Sequence, residues 1–289
     1  MRPTLLASLL FLFPCTALAD LAPDPAGAGA NLGPMDESAA GAVSMESEEV
    51  SIELHPSFAV IDATFVLANS GLATTLDVGF PGEGVRIAVG RFSAHRALVG
   101  FKTWVNGVSC AAIARKVQMG AEGPKTWTET WHVFGIAVPA AGKTTVRVRY
   151  GVPADVYFGD SYNTEDTFPD SAVSYILATG ARWKGAIGKA TFTIRGMDGV
   201  SIDGVRVRDD RMPAAPRSGT EPAQAMLPTY GKRADGAIVL SREAFEPAGP
   251  DDLQILFQPP GAGDRTGREA LDAGRNVDEN AILEAVAKE

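Results

Sequence analysis

Ser174–Arg195, SYILATGARWKGAIGKATFTIR, is the stretch whose reading decides the fold. It opens with an apolar run, Tyr175 to Ala178, that reads as a strand. A glycine-rich corner follows, then a second strand in which Ala190, Phe192 and Ile194 alternate with Thr191, Thr193 and Arg195. That period of two belongs to a strand with one buried face. Between the strands, Gly180, Gly185 and Gly188 bracket Trp183. Glycine permits a tight bend, and one large aromatic side chain beside it fills the gap at a sheet corner. The stretch is structural and carries no chemistry of its own.

Outward from it the same texture continues. On the N-terminal side Val146, Val148 and Tyr150 alternate with Arg147 and Arg149, and Thr126 to Val138 reads as extended. Val50, Ile52 and Leu54 alternate with Ser51, Glu53 and His55. Ala59 to Leu67 places Ile61, Phe65 and Leu67 on one side and Asp62 and Thr64 on the other. Asn69-Ser70-Gly71 turns the chain into a third strand, Thr75 to Phe80. Further strands are expected at Val85 to Val89 and Phe101 to Val105. Asn106-Gly107 then supplies the positive φ pair that a two-residue type I′ hairpin requires. C-terminal to the opening stretch, Val200 to Val207 is interrupted at Gly204, and Ala237 to Leu240 and Leu253 to Phe257 are apolar strands. Glu269 to Lys288 is rich in Ala, Leu and Glu and predicts a loosely docked helix. Short strands with turns at regular spacing and no alternating helices give an all-β fold. We expect an antiparallel β-sandwich, one large or two small, with a short C-terminal helix.

The expected organisation is a signal peptide over 1–19 and a flexible lead-in over 20–43, of which Leu32 and Met35 could be tacked onto the fold. An N-terminal β-sandwich (44–152) follows, then a second β-rich region (153–260), separate or part of the same sandwich. A helical tail covers 261–289. Arg2, the apolar run Leu5 to Phe13 and Ala17-Leu18-Ala19 have the three-part pattern of a secretory leader cleaved after Ala19. That run is too short to span a bilayer, which takes roughly 20 apolar residues, and none later approaches that length. Phe13-Pro14 before Cys15 lacks the small residues of a lipid-attachment site. The expected location is therefore the periplasm, or else the extracellular space or cell surface.

Loss of Cys15 with the leader leaves Cys110 alone, so no intrachain disulfide forms and the core must hold the fold. Cys110 is expected to be a small buried residue in a strand over Val108 to Ile113. The formal charge is −9, and no cluster of more than two Lys or Arg occurs. Nucleic acid and anionic membrane surfaces are poor partners for such a chain.

Several segments resemble an uncharacterised family of exported bacterial proteins, a domain of unknown function. They are Met45-x-Ser47-Glu48-x-Val50-x-Ile52, the Asn69 turn leading to Gly79-Phe80-Pro81, Trp131 with Val146-x-Val148-x-Tyr150, and Tyr175-x-Leu177-x-Thr179-Gly180-x-x-Trp183-x-Gly185-x-Ile187. The resemblance covers roughly residues 45–195. It implies a secreted β-rich fold, assigns no activity and supplies no catalytic residues.

Chemistry has few footholds. His55, His95 and His132 are far apart, with no H-E-x-x-H, no G-x-S-x-G and no phosphate-binding glycine loop between strand and helix. Two candidates stand out. In an extended chain Trp127, Glu129 and Trp131 share a face, and two aromatic rings flanking a carboxylate could stack and hydrogen-bond a sugar. The competing reading packs both rings in the core. The acidic loop carries Asp155, Asp160, Asn163, Glu165, Asp166 and Asp170. Its oxygens could hold calcium, although the spacing is not that of a helix-loop-helix calcium site; the competing reading is a solvated loop. No other cofactor is implied. The leading expectation is a non-enzymatic exported binding or scaffolding protein with an envelope protein or glycan as partner. The alternatives are a carbohydrate-binding or carbohydrate-active protein and a metal-binding envelope protein.

Overall fold

The computed structural model describes residues 32–36, 38–83, 85–88, 91–94, 97–119, 127–157, 170–208, 232–248, 252–262, 269 and 276–288. In chain order the strands are β1 (Gly33–Pro34), β2 (Val43–His55), β3 (Phe58–Asn69), β4 (Thr74–Glu83), β5 (Val85–Ala88) and β6 (Arg91–Ala94). Then come β7 (Val99–Val105), β8 (Val108–Cys110), β9 (Ile113–Met119), β10 (Trp127–Val138), β11 (Lys143–Pro153) and β12 (Asp155–Tyr157). They are followed by β13 (Asp170–Tyr175), β14 (Ile187–Gly196), β15 (Arg206–Arg208), β16 (Lys232–Ala234), β17 (Ala237–Phe245), β18 (Leu253–Phe257) and the helix α1 (Glu279–Ala287).

The chain is a β-sandwich. Its backbone is an eight-stranded sheet in the order β16-β17-β14-β2-β3-β11-β7-β8. Two four-stranded sheets, β1-β4-β10-β9 and β12-β13-β18-β15, face it. Alternation explains the layering. The odd-numbered residues of β3 (Ala59, Ile61, Ala63, Phe65, Leu67) share one apolar cluster with Val146, Val148, Phe192 and Ile194 of the large sheet. The same cluster takes in Val78, Phe80 and Ile136 from one small sheet and Val173, Ile255 and Phe257 from the other. One continuous core thus runs under both small sheets.

The opening stretch behaves as its residues suggest, with one shift. The strand expected from Tyr175 to Ala178 lies earlier, as β13, and Ala178–Arg182 forms a single 3-10 turn instead. Trp183 is 3% exposed, and its indole Nε1 donates to the Leu32 carbonyl at 2.7 Å. A buried indole N–H needs that acceptor. The bond also ties down the lead-in, which docks from Leu32 onward as Gly33 and Pro34 pair with β4. Leu32 and Met35 of the expected lead-in are thus attached to the fold.

Two features of β2 depend on distant strands. The β2–β3 register shifts between Met45 and Ser47, so Glu46 is the extra residue of a bulge, and both Met45 and Glu48 turn inward. Gly188 faces this bulge: a Cβ there would collide with the Glu46 carbonyl, so close approach explains this glycine. The second feature is pairing. β2 and β14 run parallel, with Ser47 opposite Lys189 and Leu54 opposite Gly196, whereas the other neighbouring strands of the large sheet are antiparallel. Parallel neighbours need a long crossover.

Around Gly204, where the interruption suggests a bulge or a tight turn, the chain makes a 3-10 turn, Ile202–Gly204, followed by β15. Cys110 is only half-buried, with Val108 71% and Ile113 69% exposed; β8 is an edge strand, not a core strand. The helix α1 is firmly seated, and residues 270–275 of the expected helical stretch lie outside the described residues. Asp278 caps its N-terminus by accepting from the Asn280 amide at 2.9 Å. Ile282, Ala285 and Val286 are buried against Phe58 and Val60, on the opposite side of the large sheet from the main core.

Candidate functional site

The most connected set of charged and aromatic side chains among the described residues lies on that second side, beside α1. Residues pointing there are set by strand parity: Ser51 and Glu53 on β2, Asp62 and Thr64 on β3, Arg147 and Arg149 on β11, and Lys102 and Trp104 on β7. Register lines them up, with Thr64, Arg147 and Trp104 in one row and Asp62, Arg149 and Lys102 in the next.

Asp62 is the hub. Arg147 grips it with a two-pronged pair, Nε to Oδ1 at 2.9 Å and Nη2 to Oδ2 at 2.7 Å. Arg149 Nη1 adds a bond to Oδ2 at 3.0 Å and lies 3.7 Å from Glu53. Burial pushes the Asp62 carboxyl up, but the hydrogen bonds and charges of both arginines outweigh it and hold the group below its ordinary value. Arg149 also caps α1, donating to the carbonyls of Val286 (3.1 Å), Ala285 (3.3 Å) and Lys288 (2.8 Å). These carbonyls have no partner within the helix, and the negative end of its dipole favours the cation. Gly100 and Gly151 leave room for the helix: a Cβ on Gly151 would run into Ile282.

The Arg147 guanidinium carbon sits 4.8 Å from the centre of the Trp104 ring, a cation–π contact that fixes the ring. Trp104 is only half-buried. Among the described residues its indole N–H meets no acceptor and its ring no partner besides Arg147. The face therefore presents a rigid aromatic ring beside a mutually neutralised set of donors and acceptors.

Of the residues expected to bind a ligand, Trp131 is 1% exposed, with Arg182 over its ring at 5.8 Å. It therefore offers no platform to solvent, because the ring serves the interior. Trp127 and Glu129 share its strand, but their side chains lie outside the described residues. Asp160, Asn163, Glu165 and Asp166 also lie outside them. Asp170 opens β13 and pairs with Tyr157, its side chain again outside the description. Among the described residues no group of three His, Cys, Asp or Glu is placed to hold a metal ion. His55 Nδ1 lies 2.7 Å from Asp198 and its ring stacks on Phe58. His132 stacks on Phe101, and His95 is outside the described residues.

Glu48 had no role in the sequence reading beyond a motif position, yet it is wholly buried in the core. Tyr175 donates to its Oε1 at 2.7 Å. Burial drives the Glu48 carboxyl up to about 7, against the opposing pull of that hydrogen bond. Burial, with Glu48 next, also pushes the Tyr175 hydroxyl well above its ordinary value. With no route to solvent on view, this pair is a structural polar contact. Trp104 was missed for a different reason. Lys102 and Trp104 alternate with Phe101, Thr103 and Val105, so parity alone places an aromatic on a polar face, but the partners that make it a site come from other strands.

No model of a known protein family matches this chain, and no curated protein matches it either. Solved structures do. The chain is similar to a candidate nutrient-binding protein from Legionella pneumophila, at TM-score 0.54 and 16% identity over 80% of this chain and 70% of that one. It also overlaps an M1 zinc metallopeptidase from Deinococcus radiodurans, at TM-score 0.33 and 11% identity, over 75% of this chain but 42% of that one. The first likeness shows a shared fold.

Proposed function

We propose that the chain is an exported, non-enzymatic binding protein of the bacterial envelope that engages its ligand on the outer face of the large sheet. The observation that carries this is the Glu53–Arg149–Asp62–Arg147–Trp104 array. It holds polar groups and one unsatisfied aromatic ring in a fixed arrangement on regular strands, as a preformed site requires. The leader at residues 1–19 supports export, and the fold shared with a protein named for nutrient binding supports the binding class.

Thermal unfolding of the chain from Asp20 onward checks it, with neutral sugars, amino acids, short peptides and divalent metal ions as additives. A ligand at 100 times its Kd adds about 2.7 kcal/mol, or roughly 5–11 °C at about 2–4 °C per kcal/mol for a chain of this size. The expected outcome is a rise with one class that disappears in Thr64→Arg, which crowds the Arg147 row. A screen with no response, or a response indifferent to Thr64→Arg, overturns the proposal.

A further inference from the structure

We propose that the ring face of Trp104 turned away from Arg147 is a stacking platform for one sugar ring of a neutral oligosaccharide. This rests on the reading of the outer face as the binding face and adds the ligand class and the contact residue. Three observations support it.

The first is vacancy on one side of the ring. Arg147 covers one face of the indole. On the far side the register places Ser109 of the edge strand β8 directly opposite Trp104, and Ser109 is small and exposed. A flat ring can approach there without meeting a bulky side chain. The second is the unmet donor. Tryptophan has one N–H and no acceptor of its own, and among the described residues this one has no partner. A sugar presents an apolar C–H face and a rim of hydroxyls, so one molecule can cover the ring and accept from the N–H. The Ser109 hydroxyl is placed to join the rim.

The third is charge. Asp62 and Glu53 together balance Arg147 and Arg149, and Glu49 opposite Thr64 offsets Lys102 across the same rows, leaving little net charge to attract an anion. A nucleotide would also meet the repulsion of a chain carrying −9 overall. A neutral polyhydroxyl ligand avoids both problems.

The test is calorimetric titration of the chain from Asp20 onward with cellohexaose, maltohexaose, xylohexaose and chitohexaose, followed by tryptophan fluorescence. At least one hexasaccharide is expected to bind and to shift the emission. Trp104→Ala should weaken that binding tenfold or more, and Trp104→Phe, which keeps a ring, should stay within a few-fold of the native chain. Ser109→Arg fills the approach while leaving the indole in place and should also abolish binding, so the proposal stays testable if Trp104→Ala folds poorly. Absence of binding by all four sugars sinks the proposal, as does binding unchanged within twofold in both Trp104→Ala and Ser109→Arg. If an amino acid, peptide or metal ion stabilises the chain in a Thr64-dependent way while the sugars do nothing, the sugar platform falls and the outer binding face stands. If nothing of any class binds, both fall.

Discussion

The two sides of the eight-stranded sheet share their strands but use tryptophan in opposite ways. On the core side Trp183 is buried, its N–H is bonded to the Leu32 carbonyl, and its ring belongs to the main apolar cluster. On the other side Trp104 is half-buried and held by one arginine. The carboxylates divide in the same way. Glu48 is sealed in with Tyr175 and pushed toward neutrality, whereas Asp62 is gripped by two arginines and kept ionised. One side maximises apolar burial; the other keeps charge in register and largely buried beside α1. The contrast separates residues that fill the core from residues that tie strands and helix together through polar bonds.

The largest effect should come from the core side. Trp183→Ala is expected to cost about 3–5 kcal/mol, combining lost burial, a cavity and a carbonyl left without its donor. Trp104→Ala should cost under about 1 kcal/mol, as surface changes usually do. Denaturant unfolding of the two variants measures the gap. Equal losses would break the comparison and make Trp104 a packing residue.

Next comes pH. The folded protein holds the Glu48 proton more tightly than the unfolded chain, whose carboxyl titrates near 4.5. Stability from this group is fully present below that pH and is lost as pH climbs toward about 7, by up to about 3 kcal/mol. Glu48→Gln should remove that downward slope in unfolding curves taken between pH 4 and 8. A slope that survives in the Gln variant would assign it elsewhere. Asp62 works in the opposite sense: its contribution is present above the ordinary carboxylate pKa of 3.8 and is lost as pH falls below it.

An effect of comparable or smaller size sharpens the picture of the outer side. Gly151→Ala forces a Cβ against Ile282 and should cost roughly 1–3 kcal/mol, as overpacking does. Faster amide exchange in Ile282–Val286 should accompany it, with the Trp183 signal in near-ultraviolet dichroism unchanged. Protected helix amides would show that α1 adapts around the added methyl.

Much of this was legible in the alternation of side chains. Phe65, Val148, Phe192 and Ile194 point where period two places them, and Asn106 and Gly107 adopt positive φ of 51° and 78° in the expected hairpin. What stayed hidden depended on pairing between distant strands. The bulge at Glu46 lets Met45 turn inward on the opposite parity, whereas Glu48 is in phase with Val50, Ile52 and Leu54 and is hidden only because a carboxylate between Ser47 and Glu49 looks solvated. Glycine at 188 reads as a corner residue until the bulged strand is placed beside it. The outer array draws its members from β2, β3, β7 and β11, and no local pattern specifies which rows will coincide.

The parallel match of β2 with β14 sets an order of events as the chain is made. The partner on the β14 side of β2 lies about 140 residues downstream. While a leading segment emerges through a membrane or from a ribosome, the amides and carbonyls on that side of β2 await a strand not yet delivered. An open edge of this kind invites pairing with other chains. Glu46, Glu49 and Glu53 along the strand supply like charges that discourage it. Acidity along β2 would thus protect the nascent protein, with its value greatest before the native sheet exists.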